Sequence, residues 1–434
     1  MYSVTDYVNL FLKFRESEAI EYPGFNIDAN QKGVVEEKKK ANLYPALVLG
    51  NVGLVYSLSK AGIPVYVGSE ARKNPCFYSR YVKGKVQFST YRNQTFIDEL
   101  CEFGKTLDQK AVIFSDDDDA LLTISNHRDQ LSEYFHFLFP PKETVNKVLD
   151  KQEFSKLSKI HELPAPASFN ITSFDELKKS AKQCTFPCII KPVFRSDWYR
   201  EDFEKIVGSY KKAYKCLDEE ELFSMYKKVS RINKKVVLQE YIEGDDTYHY
   251  SVNMYVDKDE EVRGYYIAKK LRIYPIGAGM GSFISTVKDE VVYKKAVEVV
   301  KALNLRGLLN IQFKRDSRTG EPKLIEIHFR NSIWGYIGVA ADINLYNFYY
   351  QGLTGEELCA CEDYKDGVKY VNLNRDIASF LQYKAAGELT FLKWISSYRG
   401  KLVLGDFKAS DPIPYFMIWW LATLAQIKLK LSLR

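Results

Sequence analysis

A predicted β-hairpin over residues 307–334 is the feature that most constrains how this chain folds. Two runs that alternate apolar and polar residues, 308–314 and 323–330, flank a turn-rich segment at 316–322. Because side chains along a strand point alternately to opposite sides, each run has one apolar and one polar face. The apolar face would carry Leu309, Ile311, Phe313, Ile325, Ile327 and Phe329. The polar face would carry Asn310, Gln312, Lys314, Glu326, His328 and Arg330.

The polar face of this hairpin has the side-chain chemistry of a binding site. It offers an amide oxygen, a carboxylate, an imidazole and a guanidinium on one pair of strands. Oxygen ligands suit magnesium, and a guanidinium suits phosphate or carboxylate. The alternative is the solvated outer face of an ordinary antiparallel sheet. Taken alone, the hairpin favours the solvated face, so the rest of the chain must decide.

Length and charge limit the class of protein. At 434 residues the chain is long enough for two or three domains. The net charge is +6, from 62 basic and 56 acidic residues, and the basic residues are spread along the chain. This distribution does not indicate a nucleic-acid-binding protein. It fits an anionic small substrate or an acidic membrane surface.

The cysteines and the N-terminus favour a cytoplasmic protein. The close cysteine pairs, Cys184/Cys188 and Cys359/Cys361, lack the second pair or the nearby histidines that a zinc site needs. The odd number of seven cysteines is typical of reduced thiols. Asp6, Lys13 and Arg15 interrupt the apolar residues near the N-terminus, so no signal peptide is predicted.

The first domain is predicted at residues 44–140, after an arm at 1–43 with a helix around 5–14 and a charged stretch at 36–40. A strand at 46–49, a turn, a helix to residue 61 and a strand at 64–67 are typical of a doubly wound sheet. Only Gly50 and Gly53 of a dinucleotide-binding fingerprint are present, so no such cofactor is indicated. A strand at 111–114 runs into four aspartates, 116–119. These either line a ligand site at the carboxyl edge of the sheet or cap the next helix.

Two lysines are candidate binding residues in the segment that follows. Lys151 lies in a predicted helix over 143–161, which the prolines of 163–166 end. Lys191 closes a predicted buried strand at 188–191. A lysine in that position is costly without a nearby anion, so Lys191 is a better functional candidate than most lysines.

A second group of predicted strands surrounds a segment rich in glycine. The strand at 236–242 ends in an acidic stretch that includes Asp246, and further strands are predicted at 249–256, 264–270 and 284–287. Glycines alternate along 276–282, between the last two strands. They either let backbone amides approach a phosphate or simply make the loop flexible. A helix over 289–303 leads into the hairpin.

The order and spacing of these elements resemble the ATP-grasp superfamily of carboxylate–amine ligases. The resemblance covers residues 44–350 and rests on Lys151, Lys191, Gln312 and the segments 239–246 and 326–330. Within the superfamily, the chain resembles the D-aspartate ligase-like and carbamoyl-phosphate synthase-like branches. The resemblance implies an α/β (α+β) fold class, with a Rossmann-like pre-ATP-grasp domain at 44–140, a two-lobed ATP-grasp domain at 141–350 and a C-terminal region at 351–434.

The resemblance also implies ATP as the cofactor, together with Mg²⁺ or, as an alternative, Mn²⁺. In the implied reaction, the γ-phosphate of ATP converts a carboxylate into an acyl phosphate, which an amine attacks. The implied site residues are Lys151 and Lys191 for the phosphates, Gln239, Glu240, Tyr241 and Ile242 for adenine, Asp246 for ribose, Gln312, Glu326 and His328 for the metal, and Arg330 and Arg272 for catalysis.

Two departures from the family pattern leave alternatives open. His328 stands where the family usually has an asparagine, and imidazole is a poorer ligand for magnesium than an amide oxygen. The loop at 192–200 lacks the usual glycines. A degenerate protein that binds nucleotide without turnover is therefore the main alternative to a ligase. A nicotinamide-dependent oxidoreductase built on Gly50 and Gly53 is a third, which leaves the later motifs unexplained.

The C-terminal segment, residues 411–434, has two interpretations of its own. It is uncharged from residue 413 to 427 and then carries Lys428, Lys430 and Arg434. Its apolar run is shorter than a membrane-spanning helix requires. The segment is either a helix packed on the ligase core or an interfacial helix on an anionic membrane, which would suit a lipid-linked cell-envelope or polysaccharide precursor. The sequence leaves open the substrates and the oligomeric state, with a homodimer as one alternative.

Overall fold

Three β-sheets carry the fold, and each is built from a separate stretch of the chain. The computed structural model describes residues 43–193, 198, 203–207, 213–277, 279–356, 358, 360–361, 363–405 and 407–432. The chain divides into two units, Met1–Leu43 and Tyr44–Arg434, and all three sheets belong to the second. The predicted helix around 5–14 and the charged stretch at 36–40 lie outside the described residues, as does most of the loop at 194–200.

The first sheet has five parallel strands in the order β3-β2-β1-β4-β5. Because the strand order reverses beside β1, the carboxyl ends of β1 and β4 flank the crevice where doubly wound sheets bind ligands. The strands are β1 (Ala46–Leu49), β2 (Val65–Ser69), β3 (Val82–Gln87), β4 (Ala111–Ser115) and β5 (Phe135–His136). The helices of this region are α1 (Val52–Lys60), α2 (Gln94–Lys105), α3 (Asp118–Asn126) and α4 (Arg128–Leu131).

A four-stranded antiparallel sheet comes next along the chain, in the order β6-β9-β7-β8. It has a hydrophobic core of its own, in which Trp198 packs against Phe203 and Tyr214. The strands are β6 (Ser168–Ile171), β7 (Cys188–Pro192), β8 (Tyr214–Cys216) and β9 (Val236–Glu240). The helices from the end of the first sheet to β9 are α5 (Lys142–Leu149), α6 (Lys151–Ile160), α7 (Phe174–Ala181), α8 (Phe203–Val207) and α9 (Glu219–Val229).

The largest sheet has seven strands in the order β14-β13-β10-β11-β12-β15-β16, antiparallel except for the last pair. Its strands are β10 (His249–Val256), β11 (Val262–Tyr274), β12 (Met280–Val287), β13 (Gly307–Arg315), β14 (Pro322–His328), β15 (Lys369–Val371) and β16 (Leu402–Leu404). The accompanying helices are α10 (Glu290–Leu303), α11 (Tyr336–Ala340), α12 (Leu345–Thr354), α13 (Leu373–Ala385), α14 (Phe391–Ser396) and α15 (Ile413–Ser432).

One hydrophobic core joins the first sheet to the seven-stranded sheet. Tyr349 of α12 lies between them, with ring-centre distances of 5.3 Å to Phe114 on β4 and 5.8 Å to Tyr255 on β10. Edge-to-face aromatic pairs of this kind contribute roughly 0.5–1.5 kcal/mol beyond the area that they bury. The carboxyl edge of the first sheet is therefore held against the sheet that contains the predicted hairpin.

The structure confirms the predicted α/β fold class and most of the predicted strands. One predicted helix and one predicted strand have different bounds. The helix predicted over 143–161 is two helices, because Asp150 has extended backbone and caps α6 by accepting hydrogen bonds from the N–H groups of Gln152 and Glu153. The strand predicted at 264–270 is longer and runs from Val262 to Tyr274. Among the described residues, no helix has the length and apolar character needed to span a bilayer.

Candidate functional site

Pairing between β13 and β14 brings the predicted polar face together. Gln312 lies opposite Glu326, and Asn310 lies opposite His328. The side chains of Gln312, Glu326 and His328 are half-buried, whereas the opposite face is buried. The hairpin therefore has the one dry face and one polar face that the alternation predicted.

A β-bulge changes one position of the dry face. The pairing skips Ile325, so that Leu324 lies opposite Phe313. Leu324 is fully buried, whereas Ile325 is only half-buried. The prediction that Ile325 belongs to the buried face is therefore wrong, because one extra residue in β14 shifts the alternation by one position.

A network of charged side chains connects the hairpin to the edge of the first sheet. Glu326 Oε2 lies 3.2 Å from His328 Nε2, and His328 Nδ1 lies 3.3 Å from Asp118 Oδ2. Arg330 donates two hydrogen bonds to the Asp118 carboxylate, at 2.8 and 3.2 Å. Asp118 begins α3, so this fork-shaped pair links the end of the hairpin to the carboxyl edge of the first sheet.

Within this network, neighbouring charges oppose the effect of burial on each pKa. Burial alone would raise the pKa of Asp118, but Arg330 and His328 hold it well below its usual range. Burial likewise favours the neutral forms of His328 and Arg330, but the Asp118 carboxylate outweighs it and raises both pKa values. Each ring nitrogen of His328 lies next to a carboxylate oxygen, so His328 bridges Glu326 and Asp118 in this structure.

The four aspartates after β4 divide between the two predicted roles. Asp117 caps α3 by accepting a backbone hydrogen bond, and Asp119 forms an exposed ion pair. Asp116 accepts two hydrogen bonds from Asn51, which follows β1, while its Oδ1 atom is buried without a hydrogen-bond partner among the described residues. Burial raises the pKa of Asp116 to about 6. Asp116 and Asp118 thus lie at the carboxyl edge of the sheet, beside the hairpin.

The two predicted phosphate-binding lysines line one cavity of about 190 Å³. Gln239 also lines it, and Lys191 Nζ donates a hydrogen bond to Gln239 Oε1 at 2.9 Å. Lys151 Nζ lies 3.4 Å from the carbonyl oxygen of Val193. Burial lowers the pKa of Lys191 to about 8, the ammonium of Lys151 adds to this, and the carboxylate of Glu326 opposes it. A bound phosphate would stabilise the charged form of such a lysine.

The predicted adenine segment leaves the four-stranded sheet at the end of β9. The N–H group of Glu240 donates to a backbone carbonyl just before β6 at 2.8 Å, and contact of this segment with adenine stays a prediction. Ile242 is buried. The ammonium groups of Lys215 and Lys314 lie 3.8 and 4.8 Å from the ring centre of Tyr241. These cation–π contacts hold the segment in place.

Asp246, the predicted ribose ligand, begins a short 3-10 turn, Asp246–Tyr248. Its Oδ2 atom accepts a hydrogen bond from the hydroxyl of Tyr383 at 2.5 Å and another from the N–H of Gly277 at 3.1 Å. Gly277 has a φ of +84°, a left-handed conformation that favours glycine. The structure thus connects Asp246 to the glycine segment, and also to α13, which the sequence pattern did not connect with any site.

Lys270 is a site residue that the sequence analysis missed. Its Nζ atom donates to Gln312 Oε1 at 3.3 Å, and Gln312 Nε2 in turn donates to Asn310 Oδ1 at 2.9 Å. Burial lowers the pKa of Lys270, and the carboxylates of Glu326 and Asp246 oppose that shift. The signal was similar to that of Lys191, since Lys270 lies in a strand whose residues are mostly apolar.

Arg272 is two residues beyond Lys270 but faces a different environment. Its guanidinium donates to both carboxylate oxygens of Asp376, at 2.9 and 2.7 Å, and to Ser397 Oγ at 2.9 Å. It also lies 4.1 Å from the ring centre of Phe283. The structure does not bring Arg272 together with the other predicted site residues. Its catalytic role stays a prediction, and its contacts indicate a structural one.

Two side chains on the hairpin offer oxygen ligands of the kind that magnesium binds. Gln312 and Glu326 place an amide oxygen and a carboxylate opposite each other on adjacent strands. Magnesium is usually held by one or two carboxylates together with substrate phosphates, so this pair fits. Among the described residues, no group of three His, Cys, Asp or Glu side chains has the arrangement of a metal site. The residues therefore suit a metal that arrives with nucleotide phosphates, and coordination by His328 stays a prediction.

Comparison with known proteins finds relatives by sequence and by fold. No family model matches the chain. D-aspartate ligase from Enterococcus faecium is 25% identical over 285 residues, covering 63% of this chain and 67% of that protein. The N-terminal section of the carbamoyl phosphate synthase large chain from Methanopyrus kandleri is 25% identical over 201 residues, covering 44% of this chain and 33% of that section. The crystal structure of N5-carboxyaminoimidazole synthetase from Staphylococcus aureus complexed with ADP has a TM-score of 0.58 and 14% identity, covering 75% of this chain and 81% of that one.

Proposed function

We propose that this chain, which has the ATP-grasp fold and resembles ATP-grasp carboxylate–amine ligases, is itself an ATP-dependent ligase. It would activate a carboxylate as an acyl phosphate and join it to an amine, with an amino acid as one of the two substrates. The name of the relative D-aspartate ligase supports the amino acid. One observation carries the proposal: Gln312 and Glu326 lie opposite each other, where Gln312 accepts a hydrogen bond from Lys270 and the charge of Glu326 acts on Lys191. Through His328, Glu326 also connects to Asp118, the partner of Arg330.

The reaction needs charge neutralisation and alignment, which these residues supply. A carboxylate is a poor electrophile until phosphoryl transfer gives it a leaving group. Lys191 and Lys270 would neutralise the phosphates of ATP, and Arg330 would bind the transferred phosphoryl group or the acyl phosphate. Magnesium, held by Gln312 and Glu326, would supply further neutralisation at the phosphates. The fixed orientation of Arg330 on Asp118 reduces the cost of aligning the reacting groups.

A second candidate function is a protein that binds nucleotide without turnover. His328 favours it, because both ring nitrogens lie next to carboxylates, those of Glu326 and Asp118, and neither faces an open metal position. The cations of the nucleotide site would remain in place, whereas the metal required for phosphoryl transfer would be bound weakly. The two candidates therefore agree on ATP binding and differ on release of phosphate.

The test is a phosphate-release screen of the purified protein with ATP, magnesium, amino acids and candidate carboxylates. For a substrate pair that is turned over, Glu326→Gln should lower the rate by roughly 100-fold or more, because it weakens the metal site while leaving a side chain of the same size. Glu321→Gln is the matched control, since Glu321 is exposed at the turn of the same hairpin. Wild-type turnover by folded Glu326→Gln contradicts the ligase site, and ATP binding without release in the whole screen favours the second candidate.

A further inference from the structure

One face of helix α13 contacts β11 and the glycine segment from Asp376 to Tyr383. Asp376 binds Arg272, and the hydroxyl of Ser379 donates to the carbonyl of Ile273 at 2.8 Å. One turn further along, the side-chain oxygen of Gln382 accepts the N–H of Ile276 at 3.0 Å. Because side chains three or four residues apart share a face of a helix, all three contacts come from the same side of α13.

The end of this face reaches the predicted ribose ligand. Tyr383 is buried, and its hydroxyl donates to Asp246 Oδ2 at 2.5 Å. The same oxygen accepts the N–H of Gly277, so the helix and the glycine segment meet on one carboxylate oxygen. Among the residues that the structure describes, no hydrogen bond reaches the other oxygen, Oδ1. Two donors thus fix the rotation of the carboxylate and leave one oxygen for a hydroxyl donor.

Burial keeps Tyr383 in the form that donates this hydrogen bond. Burial and the adjacent carboxylate of Asp246 raise the pKa of Tyr383 well above its usual range. The hydroxyl therefore stays protonated at neutral pH. A hydrogen bond to an ionised acceptor is stronger than one between neutral groups, so this contact is suited to holding the carboxylate in one orientation.

We propose that α13 is part of the nucleotide site, with Tyr383 and Gln382 as positioning residues that hold Asp246 in the orientation that binds the ribose hydroxyls. The inference rests on the proposed function, together with the ribose role that the family resemblance implies for Asp246. It assigns to the segment after the ATP-grasp core a role in nucleotide selectivity. Loss of the Tyr383 hydroxyl should free the carboxylate to rotate, and should weaken binding only for ligands whose hydroxyls it would have met.

The test measures the dissociation constants of ATP, 2′-deoxy-ATP and 3′-deoxy-ATP by calorimetry with the full chain. Wild-type protein should bind ATP more tightly than at least one deoxy analogue. Tyr383→Phe should raise the Kd for ATP by about five- to tenfold, and that for the discriminated analogue by less than about twofold. The ratio of the Kd for the discriminated analogue to the Kd for ATP should therefore fall. Gln382→Ala should lower this ratio by a smaller factor, because it loosens the loop at 276–277 instead of the carboxylate itself.

Tyr398→Phe is the matched control. It also removes one tyrosine hydroxyl that donates to an aspartate, here Asp376 at the other end of the contact face. It should lower the melting temperature and leave the ratio of the Kd values unchanged. The proposal is overturned if folded Tyr383→Phe keeps the wild-type ratio, or if wild-type protein does not discriminate among the three nucleotides. Failure of the wild-type protein to bind ATP at all overturns the proposed function as well.

Discussion

At the scale of single residues, His328 decides between the two candidate functions. Its imidazole lies between Glu326 and Asp118, and the carboxylates raise its pKa. Asparagine at this position would restore the residue usual in the family, and would release Glu326 from its contact with the imidazole. We therefore expect His328→Asn to keep or increase the turnover that magnesium supports.

The measurement for His328→Asn is a metal-ion series with magnesium and manganese on both proteins. A preference that moves from manganese towards magnesium would agree with imidazole as a metal ligand in the wild-type protein. An unchanged preference with equal or higher rates would agree with the bridging role. Loss of activity in every metal contradicts both, and would place His328 in contact with substrate.

Asp116 makes stability depend on pH. Burial raises its folded-state pKa to about 6, above the unfolded value, so the folded protein binds this proton more tightly. The associated stability is present below the unfolded pKa and is lost as the pH rises through 6. Asp116→Asn removes this titration. We expect the free energy of unfolding of the variant, relative to wild type, to rise by about 2 kcal/mol between pH 4.5 and 7.5.

Urea unfolding at the two pH values measures this difference. Asp108→Asn is the control, because Asp108 is exposed in the turn before β4 and should show the same pH dependence as the wild-type protein. A parallel pH dependence of Asp116→Asn and wild type would mean that Asp116 is ionised in the folded state without penalty.

The sequence identified residues whose chemistry is local and missed those whose role depends on a distant partner. Alternation in two adjacent strands was sufficient to place Gln312 beside Glu326. Lys191 was noticeable because it closes a buried strand. Tyr383 could not be recognised in this way, because its partner Asp246 lies far along the chain and only tertiary packing brings them together.

At the scale of secondary-structure elements, the Arg272–Asp376 ion pair fastens α13 to β11. Both side chains are buried, and Trp394 and Tyr398 donate further hydrogen bonds to the Asp376 carboxylate. Removing one partner leaves an uncompensated buried charge, which costs about 3–5 kcal/mol. Arg272→Met should therefore lower the free energy of unfolding by that amount. The double variant Arg272→Met/Asp376→Leu should lower the free energy of unfolding by less than either single variant does.

Chemical unfolding measures these stabilities, and phosphate release measures turnover in the same samples. Arg92→Met is the control, since it breaks an exposed ion pair with Asp119 and should change stability by less than about 1 kcal/mol. If Arg272→Met kept wild-type stability but lost turnover, the residue would belong to catalysis, as the family resemblance implied.

Boundaries of elements were less predictable than their existence. The apolar pattern runs through both α5 and α6, and only the capping bonds of Asp150 reveal the break between them. β3, an edge strand missed by the sequence analysis, alternates half-buried with exposed residues and contains Gly84. Its pairing with β2, rather than its composition, makes it a strand.

At the scale of the whole molecule, the C-terminal helix α15 combines features of both predicted alternatives. Asp411, just before it, is buried and accepts hydrogen bonds from Ser79 Oγ at 2.5 Å and from the N–H of Arg80 at 3.1 Å. The segment is therefore anchored on the loop that precedes β3 of the first sheet. Three apolar residues near the start of the helix are nevertheless exposed on one side: Ile413 (54%), Phe416 (63%) and Trp420 (58%).

We propose that this exposed side contacts anionic membranes, with the basic residues that follow it in the sequence. Full-length protein should sediment with anionic liposomes. A chain that ends at Pro412, which keeps the Asp411 anchor, should remain in the supernatant. The full-length double variant Phe416→Ser/Trp420→Ser should do the same. Equal sedimentation of all three proteins, or of none, contradicts membrane binding, and aggregation of the shortened chain would indicate that α15 covers the core instead.

The Arg330–Asp118 pair limits how this protein can be divided or recombined. Arg330 belongs to the end of the hairpin, and Asp118 lies 212 positions earlier, at the start of α3 beside the first sheet. A chimera that takes its first region from a related protein will hold Arg330 in place only if that region supplies a carboxylate at the same point. A chimera made to alter substrate choice should therefore take the first region and the hairpin from the same parent protein.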